Sequence, residues 1–223
     1  MSESVGVIWS SDGSFNYGVG GINSSSPKRW QAQGSFSNPY NFLYYQTALR
    51  NQSINRSSSF IGSSRDLDRN YTVYSYSSSG ITNFTLDPAL SANLADPGIN
   101  LTTVVFLIDG SLTVDYEFYT ERSAIFIAKN DITIEGNLDG SPDPDNPDRI
   151  SGLYVAGERF IIRDGPSQFI LDGMTYANSF SFEKTSYRSL TSPTYQFIYQ
   201  PKYLFDLLPY LGRSQVIWKE VGP

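Results

Sequence analysis

An acidic, proline-rich loop carries the densest set of metal-ligand side chains in the 223-residue sequence. Its oxygen-bearing residues are Asp139, Asp143, Asp145, Asn146 and Asp148. Calcium takes about six to eight oxygen ligands and suits flexible acidic loops, and the interspersed prolines would restrict this loop before it binds. These residues are therefore candidate calcium ligands, although the sequence favours no bound cofactor. The alternative is a solvated acidic loop whose prolines keep it away from the neighbouring strands.

Two further carboxylates, Asp115 and Glu135, end two similar segments that lie 20 positions apart. If those segments stack on each other, the carboxylates lie about 4.8 Å apart, which is the spacing of neighbouring strands. Paired carboxylates can act as the acid and the base of glycoside hydrolysis, and their mutual repulsion would raise the pKa of one of them. The alternative is that both are corner residues in water, or are bridged by Lys129 or another cation.

Tyrosine is frequent, with 16 residues, and its amphipathic ring is suited to stacking on a carbohydrate. The candidates for carbohydrate binding are Tyr40, Tyr44, Tyr74 and Tyr76. The alternative, which the sequence favours, is that these rings pack between the N-terminal region and the strands that follow it.

Composition limits the functions that the chain could have. Histidine and cysteine are absent, which removes the commonest general base, the commonest zinc ligand and any disulfide. Charged residues make up 17% of the chain and the formal net charge is −6, without a basic stripe for a nucleic-acid partner. No apolar run is long enough to span a membrane. A polar but weakly charged surface is common among extracellular β-proteins, so we expect an extracellular or cell-surface protein whose export or anchor segment lies outside this sequence.

A spaced repeat indicates which elements position these residues. The segment 105–115 returns as 125–135, and both copies read as an apolar strand, a polar corner and a second, alternating strand. A third copy, 153–162, follows after 28 positions because the acidic loop is inserted, and Leu171-Asp172-Gly173 would repeat the corner Ile108-Asp109-Gly110. A short period of this kind is typical of a solenoid, in which each coil stacks on the next. We therefore predict an all-β fold built on a parallel β-solenoid of few coils.

The solenoid is expected over residues 102–183, with different segments on either side of it. Residues 1–101 would form an irregular, β-rich N-terminal cap or side region with one short helix within 38–56. Residues 184–223 are rich in aromatic side chains, which a flexible tail would lack. We expect this aromatic C-terminal tail to be extended and docked on the solenoid, where it could cover an exposed end.

The coils together with the tail resemble a family of surface-associated parallel β-helix proteins from candidate-phylum bacteria. The matching residues are 105–114, 126–134, 152–156 and 169–173 in the coils, and 199–204 and 218–221 in the tail. The resemblance implies the fold and a surface location but no catalytic residue, because that family carries no assigned activity. The coils are also similar, more weakly, to those of filament-forming bactofilins and of pectate-lyase-like β-helices. The long N-terminal region and the docked tail depart from the bactofilin plan.

These observations favour a non-enzymatic extracellular or cell-surface β-solenoid with a structural or adhesive role, able to assemble with itself. The alternative is a β-helix that binds or cleaves polysaccharides with the carboxylates of one face. The expected partner is a second copy of the chain or a surface polysaccharide, and the one cofactor that the sequence suggests is calcium. The sequence leaves enzymatic activity open and favours its absence.

Overall fold

The computed structural model describes residues 42–67, 71–96, 101–140, 146–184 and 193–211. Over these residues the chain forms eleven β-strands, three α-helices and two 3₁₀ turns. The strands are β1 (Ser53–Arg56), β2 (Phe60–Ile61), β3 (Val73–Tyr76), β4 (Asn83–Leu86), β5 (Thr103–Ile108), β6 (Ser111–Val114), β7 (Ser123–Ala128), β8 (Ile132–Ile134), β9 (Asp148–Ile162), β10 (Phe169–Phe182) and β11 (Tyr195–Tyr199). The helices are α1 (Phe42–Leu49), α2 (Leu90–Ala95) and α3 (Lys202–Leu207), and the 3₁₀ turns are Arg50–Gln52 and Leu208–Tyr210.

The strands form one curled, parallel sheet, which confirms the predicted all-β, solenoid-like fold. Along one side the neighbours are β1, β3, β5, β7 and β9, and along the other they are β2, β4, β6, β8 and β9. Val105 pairs with Ile125, which in turn pairs with Leu153, so the register follows the shifts of 20 and 28 positions in the sequence. Backbone groups bond between consecutive coils, and each coil therefore needs its neighbours.

The ladder of strands extends in both directions beyond the repeat that the sequence displays. On the N-terminal side, β1 to β4 add two further coils before residue 102. On the C-terminal side, β9 and β10 are long enough to run through both sides of the sheet. The first residues of each strand, 148–152 in β9 and 169–173 in β10, form an additional paired segment, and β11 pairs with the part from β10. The solenoid is therefore longer than the part of the chain that carries the visible repeat.

The fourth coil of the repeat follows a register that differs from the predicted one. The repeat suggested that Leu171 corresponds to Ile108, but Leu171 pairs with Ile150 on the additional segment. The residue that continues the row of Ile108 is instead Ala177. The prediction is wrong because the coils from β9 onward carry an extra strand segment before the repeated one.

A column of aromatic rings fills the interior of the coils. Tyr74, Phe106, Phe126 and Tyr154 occupy the same inward position in consecutive coils and are fully buried. Successive ring centroids lie 5.9, 5.1 and 5.0 Å apart, with the rings close to parallel. Stacked rings contribute roughly 0.5–1.5 kcal/mol beyond the burial of their area, so the column helps to hold the coils in register.

The outer side of the same strands is covered by helices. Every residue of β5 and of β7 is buried, and their outward side chains form a second apolar cluster with residues of α1 and α3. The buried members from the helices are Phe42, Tyr45, Leu49, Tyr203 and Leu207. Strands that are buried on both faces read as nearly continuous apolar runs, as β5 and β7 do. Helix α1 lies within the segment 38–56 in which the sequence predicts a short helix.

The aromatic tail is docked, as predicted, although its described part is regular rather than extended. Strand β11 pairs with the first part of β10, and α3 then crosses the outer side of β5, β7 and β9. Ser123 Oγ donates a hydrogen bond to Asp206 Oδ2 of this helix. The backbone N–H of Lys184 donates to the hydroxyl of Tyr195 at 2.6 Å, which fixes the start of β11 against the end of β10.

A fully buried ion pair closes the corner where the last coils meet. Lys184 Nζ lies 3.0 Å from Asp148 Oδ2 and also donates to the carbonyl oxygens of Gly136 and Ser167, each at 3.0 Å. Asp148 Oδ1 accepts the backbone N–H of Leu138 at 2.8 Å. All three ammonium hydrogens and both carboxylate oxygens are therefore paired, as burial of charge requires.

Candidate functional site

The last coil exposes side chains of a kind that the earlier coils bury. Phe180 pairs with the fully buried Phe160, and Phe182 pairs with the fully buried Ile162, so both rings occupy inward positions. Phe197 takes the same kind of position on β11, next to the buried core. The three rings are nevertheless 38%, 49% and 44% exposed, in the order Phe180, Phe182, Phe197. They are core residues at the open end of the solenoid.

These rings belong to one continuous patch, the terminal aromatic cluster, which consists of Phe180, Phe182, Tyr195 and Phe197. The ring centroid of Phe182 lies 5.1 Å from that of Tyr195, 5.8 Å from that of Phe197 and 6.0 Å from that of Phe180. The ring of Phe180 also contacts Phe160, with centroids 6.2 Å apart, which joins the patch to the buried core. Contiguous exposed apolar side chains mark an interaction site where their area is large enough.

An open strand edge borders the terminal aromatic cluster. Strand β11 pairs with residues 169–173 of β10 and goes no further along it. Residues 179–182 pair with β9 on one side, and within the part of the chain that the structure describes no strand pairs with them on the other side. The N–H and C=O groups of such an edge are available to another strand.

The open edge beside the cluster carries no charged side chain over residues 179–182. Ser179 and Ser181 are the outward side chains of the open edge, since they alternate with the inward rings. At the end of this edge, Glu183 pairs with Arg163 at 3.0 Å. Burial raises the pKa of Tyr195 above its ordinary value of 10.0, so its hydroxyl stays neutral near pH 7. The edge residues themselves therefore bring no charge into a contact with another surface, although Asp164 and Glu183 lie near Tyr195.

The residues of the cluster form an alternating pattern in the sequence. Phe180-Ser181-Phe182 and Tyr195-Gln196-Phe197 each alternate a ring with a polar residue, which is typical of a strand with one apolar face. That pattern does not show which coil is the last, and so it does not show that the rings are exposed.

The structure describes three of the five predicted calcium ligands and pairs one of them, Asp148, with a lysine. Asp143 and Asp145 lie outside the described residues. Asp148 is fully buried in the corner ion pair, whereas Asp139 lies nearer the surface and accepts a hydrogen bond from Asn146 Nδ2 at 2.6 Å. Among the described residues, no three acidic, histidine or cysteine side chains come together in a way that could hold a metal ion. Asp148 is thus a structural partner of the ammonium group, and the calcium prediction depends on the other four residues.

The predicted carboxylate pair occupies equivalent positions in consecutive coils. Asp115 and Glu135 directly follow Val114 and Ile134, which pair with each other. The pKa of Asp115 is raised above its ordinary value of 3.8 by burial, and a hydrogen bond from its own backbone N–H opposes this effect. One of its carboxylate oxygens has no hydrogen-bond partner among the described residues. Burial, rather than the predicted repulsion from Glu135, therefore accounts for the shift.

The predicted carbohydrate-binding tyrosines do not form one surface. Tyr40 lies outside the described residues. Tyr74 and Tyr76 are fully buried because β3 turns both rings into the core, so neither can stack on a sugar. Tyr44 is 37% exposed on α1, with its ring packed edge to face on Tyr45. The sequence favoured packing over sugar binding for these rings, and Tyr74 and Tyr76 do pack, in the interior of the coils.

Comparison with known proteins returns no assignment. No protein-family model matches the chain, and no match was found among curated proteins or solved structures. None of the helices in the described ranges is long and apolar enough to cross a membrane. The function is therefore argued from the terminal aromatic cluster and the surfaces around it.

Proposed function

We propose that this chain is a non-enzymatic structural or adhesive β-solenoid module of the extracellular space or cell surface, and that it acts through the open end of its last coil. The observation that carries the proposal is the exposure of Phe180, Phe182 and Phe197 at core positions. Leaving these rings in water is unfavourable, since full burial of a large apolar side chain contributes roughly 1.5–3 kcal/mol. A patch that retains them is typical of a site that another surface covers.

The rest of the solenoid supports a mechanical role. The outer side of β5 and β7 presents two helices to the solvent instead of a strand-lined groove in which a polymer could lie. Acidic residues join one coil to the next: Asp109 pairs with Lys129 at 2.7 Å, and Asp131 pairs with Arg159 at 2.6 Å. These ion pairs connect consecutive coils, and the stacked aromatic rings hold the coils in register. Both features favour a stiff rod.

A location outside the cell is supported by composition and by resemblance. Only 17% of the residues are charged, which suits a polar surface built from serine, asparagine, threonine and tyrosine. The coil and tail motifs resemble those of surface-associated β-helix proteins. A rod of stacked coils would hold its open end away from the point of attachment, which is an arrangement suited to adhesion or assembly.

Clustering of protein-coated beads tests this proposal. Beads that carry the unaltered chain are expected to cluster, and beads that carry Phe182→Ser are expected to stay dispersed, because the substitution removes the central ring of the patch. Phe205→Ser is the matched control, since Phe205 is 65% exposed but lies on α3; it should leave the clustering unchanged. Dispersed beads with the unaltered chain, or equal clustering with Phe182→Ser, would refute the proposal.

The alternative role in polysaccharide cleavage is tested on the same samples. Acidic polysaccharides are incubated with the unaltered chain and with Asp115→Asn, and the release of reducing sugar is measured. The proposal predicts no release from either sample. Release by the unaltered chain that disappears in Asp115→Asn would replace the structural role with a catalytic one.

A further inference from the structure

We propose that the terminal aromatic cluster binds the same cluster of a second copy of this chain, so that two solenoids meet at their last coils and form a closed dimer. This inference rests on the proposed function, because it names the partner of the surface through which the module acts. A twofold axis brings the same patch of both copies together, and the resulting pair leaves no such patch exposed for a third copy.

The open edge of β10 fits a twofold arrangement. A twofold axis at this edge brings residues 179–182 of the two copies together as antiparallel strands. Side chains that lie directly opposite each other in an antiparallel pair share one face of the sheet, so inward rings must meet inward rings. The register centred on Ser181 satisfies this condition, because it places Phe180 of one copy opposite Phe182 of the other. The aromatic interior then continues from one solenoid into the next.

Charge at this edge also suits a second copy. The chain carries a net charge of −6, and two copies therefore repel each other over most of their surfaces. At the open edge, however, the outward side chains are Ser179 and Ser181. In the register centred on Ser181, Glu183 of one copy lies opposite Ser179 of the other, where the hydroxyl can donate a hydrogen bond. Like charges are therefore kept apart in the contact.

The described part of the chain ends at the other end of the solenoid. Helix α3 runs back over β9, β7 and β5, and the carbonyl oxygen of Tyr210 accepts a hydrogen bond from Gln52 Nε2 at 3.4 Å, directly before β1. The rows from β11 to β1 span about 29 Å at the usual strand spacing. Within the described ranges the two ends of the solenoid therefore differ, and a twofold contact is the one that joins the two terminal aromatic clusters to each other.

The size of the patch predicts a weak dimer. An aromatic side chain has roughly 150–250 Å² to bury, so three rings with these exposures offer about 250 Å² per copy. A stable interface buries about 800 Å² per partner. The paired backbone edges must therefore contribute, and dimers should form only at high protein concentration. Display of many copies on one surface would raise their effective concentration.

Disulfide trapping tests the pairing, because the chain contains no cysteine of its own. In Ser181→Cys the new thiol should face its counterpart, since directly opposed residues have Cβ atoms about 4.5–5.5 Å apart. Oxidation by air with a copper catalyst should then give a covalent dimer. Adding Phe182→Ser or Phe197→Ser should lower the yield of this dimer several-fold, whereas adding Phe205→Ser should not. Circular dichroism shows whether each variant is folded. If one of Phe182→Ser and Phe197→Ser fails to fold, the yield of covalent dimer with the other variant tests the pairing.

Asn55→Cys, on β1 at the opposite end, is the matched control for the position of the thiol. A disulfide that forms only between Asn55→Cys and Ser181→Cys would show head-to-tail stacking; it would overturn the closed dimer and leave the proposed function intact. If no dimer is trapped while the coated beads still cluster, the inference fails by itself. If the beads do not cluster, the proposed function fails and the inference fails with it.

Discussion

The buried pair of Lys184 and Asp148 allows a quantitative test of what holds the last coils together. Lys184→Met keeps the aliphatic stem but leaves the Asp148 carboxylate buried, with the N–H of Leu138 as its donor. The carbonyl oxygens of Gly136 and Ser167 lose a donor at the same time. Removal of one partner of a buried ion pair destabilises a protein by about 3–5 kcal/mol. We expect Lys184→Met to lower the free energy of unfolding by that amount, which lowers Tm by about 10 °C in a domain of this size.

Urea denaturation followed by circular dichroism measures this loss, and a double-mutant cycle with Asp148→Leu assigns it to the pair. The double variant should be more stable than either single variant, because no charge is then left buried alone. Lys129→Met is the matched control: it removes the exposed ion pair with Asp109 and should lower the stability by less than about 1 kcal/mol. If Lys184→Met is no more destabilising than Lys129→Met, the reasoning is refuted.

Other parts of the solenoid can be probed in the same way. Phe126→Ala in the aromatic column should lower the free energy of unfolding by about 3–5 kcal/mol; a loss below about 1 kcal/mol in urea would contradict the stacked interior. Because burial raises the pKa of Asp115, the folded state holds that proton more tightly than the unfolded state, and stability falls as the pH rises from 3.8 through the raised pKa. Asp115→Asn should flatten this part of the profile of Tm against pH. An unchanged profile would show that Asp115 is not the group that titrates there. Burial also raises the pKa of Tyr76 and of Tyr154, so stability should be lost above about pH 10, where these rings ionise only on unfolding. If the absorbance of tyrosinate rose gradually at both positions while the protein stayed folded, burial of these two rings would be contradicted. If the acidic loop binds calcium, a chelator should lower Tm, and an unchanged Tm would remove the calcium prediction.

The register of the central coils could be predicted because each coil repeats the same structural requirement. An inward side chain must fit those directly above and below it, so Phe106 and Phe126 recur at the spacing at which their strands pair. The insertion after β8 obscured this relation. It brought the strand segment 148–152 into the coil, and the alignment of Leu171 was therefore wrong.

The sequence could not show which elements cover a coil from outside. The helices that bury the outer side of β5 and β7 come from residues 42–49 and 202–207, which are distant from those strands in the chain. Lys184 and Asp148 are likewise 36 positions apart. Their pairing depends on how successive coils meet at one corner, which a linear pattern does not specify.

A linear pattern also does not show which strand residues are buried and which are exposed. A period-two pattern does not say which face of a strand meets the core, so the sequence leaves Tyr74 and Tyr76 as carbohydrate-binding candidates while favouring packing, and both rings lie inside. Nor does such a pattern say where a stack of coils ends. Phe180 and Phe182 look like ordinary core residues in the sequence, and only their position in the last coil makes them a candidate site.

We propose that the open end of the last coil is an interaction surface for a second copy of the chain. Sedimentation velocity over a wide range of protein concentrations measures this most directly. The unaltered chain and Phe205→Ser should pass from monomer to dimer as the concentration rises, without larger species, and Phe182→Ser should remain monomeric. A chain that stays monomeric at its highest soluble concentration, or that grows into filaments, would contradict the account.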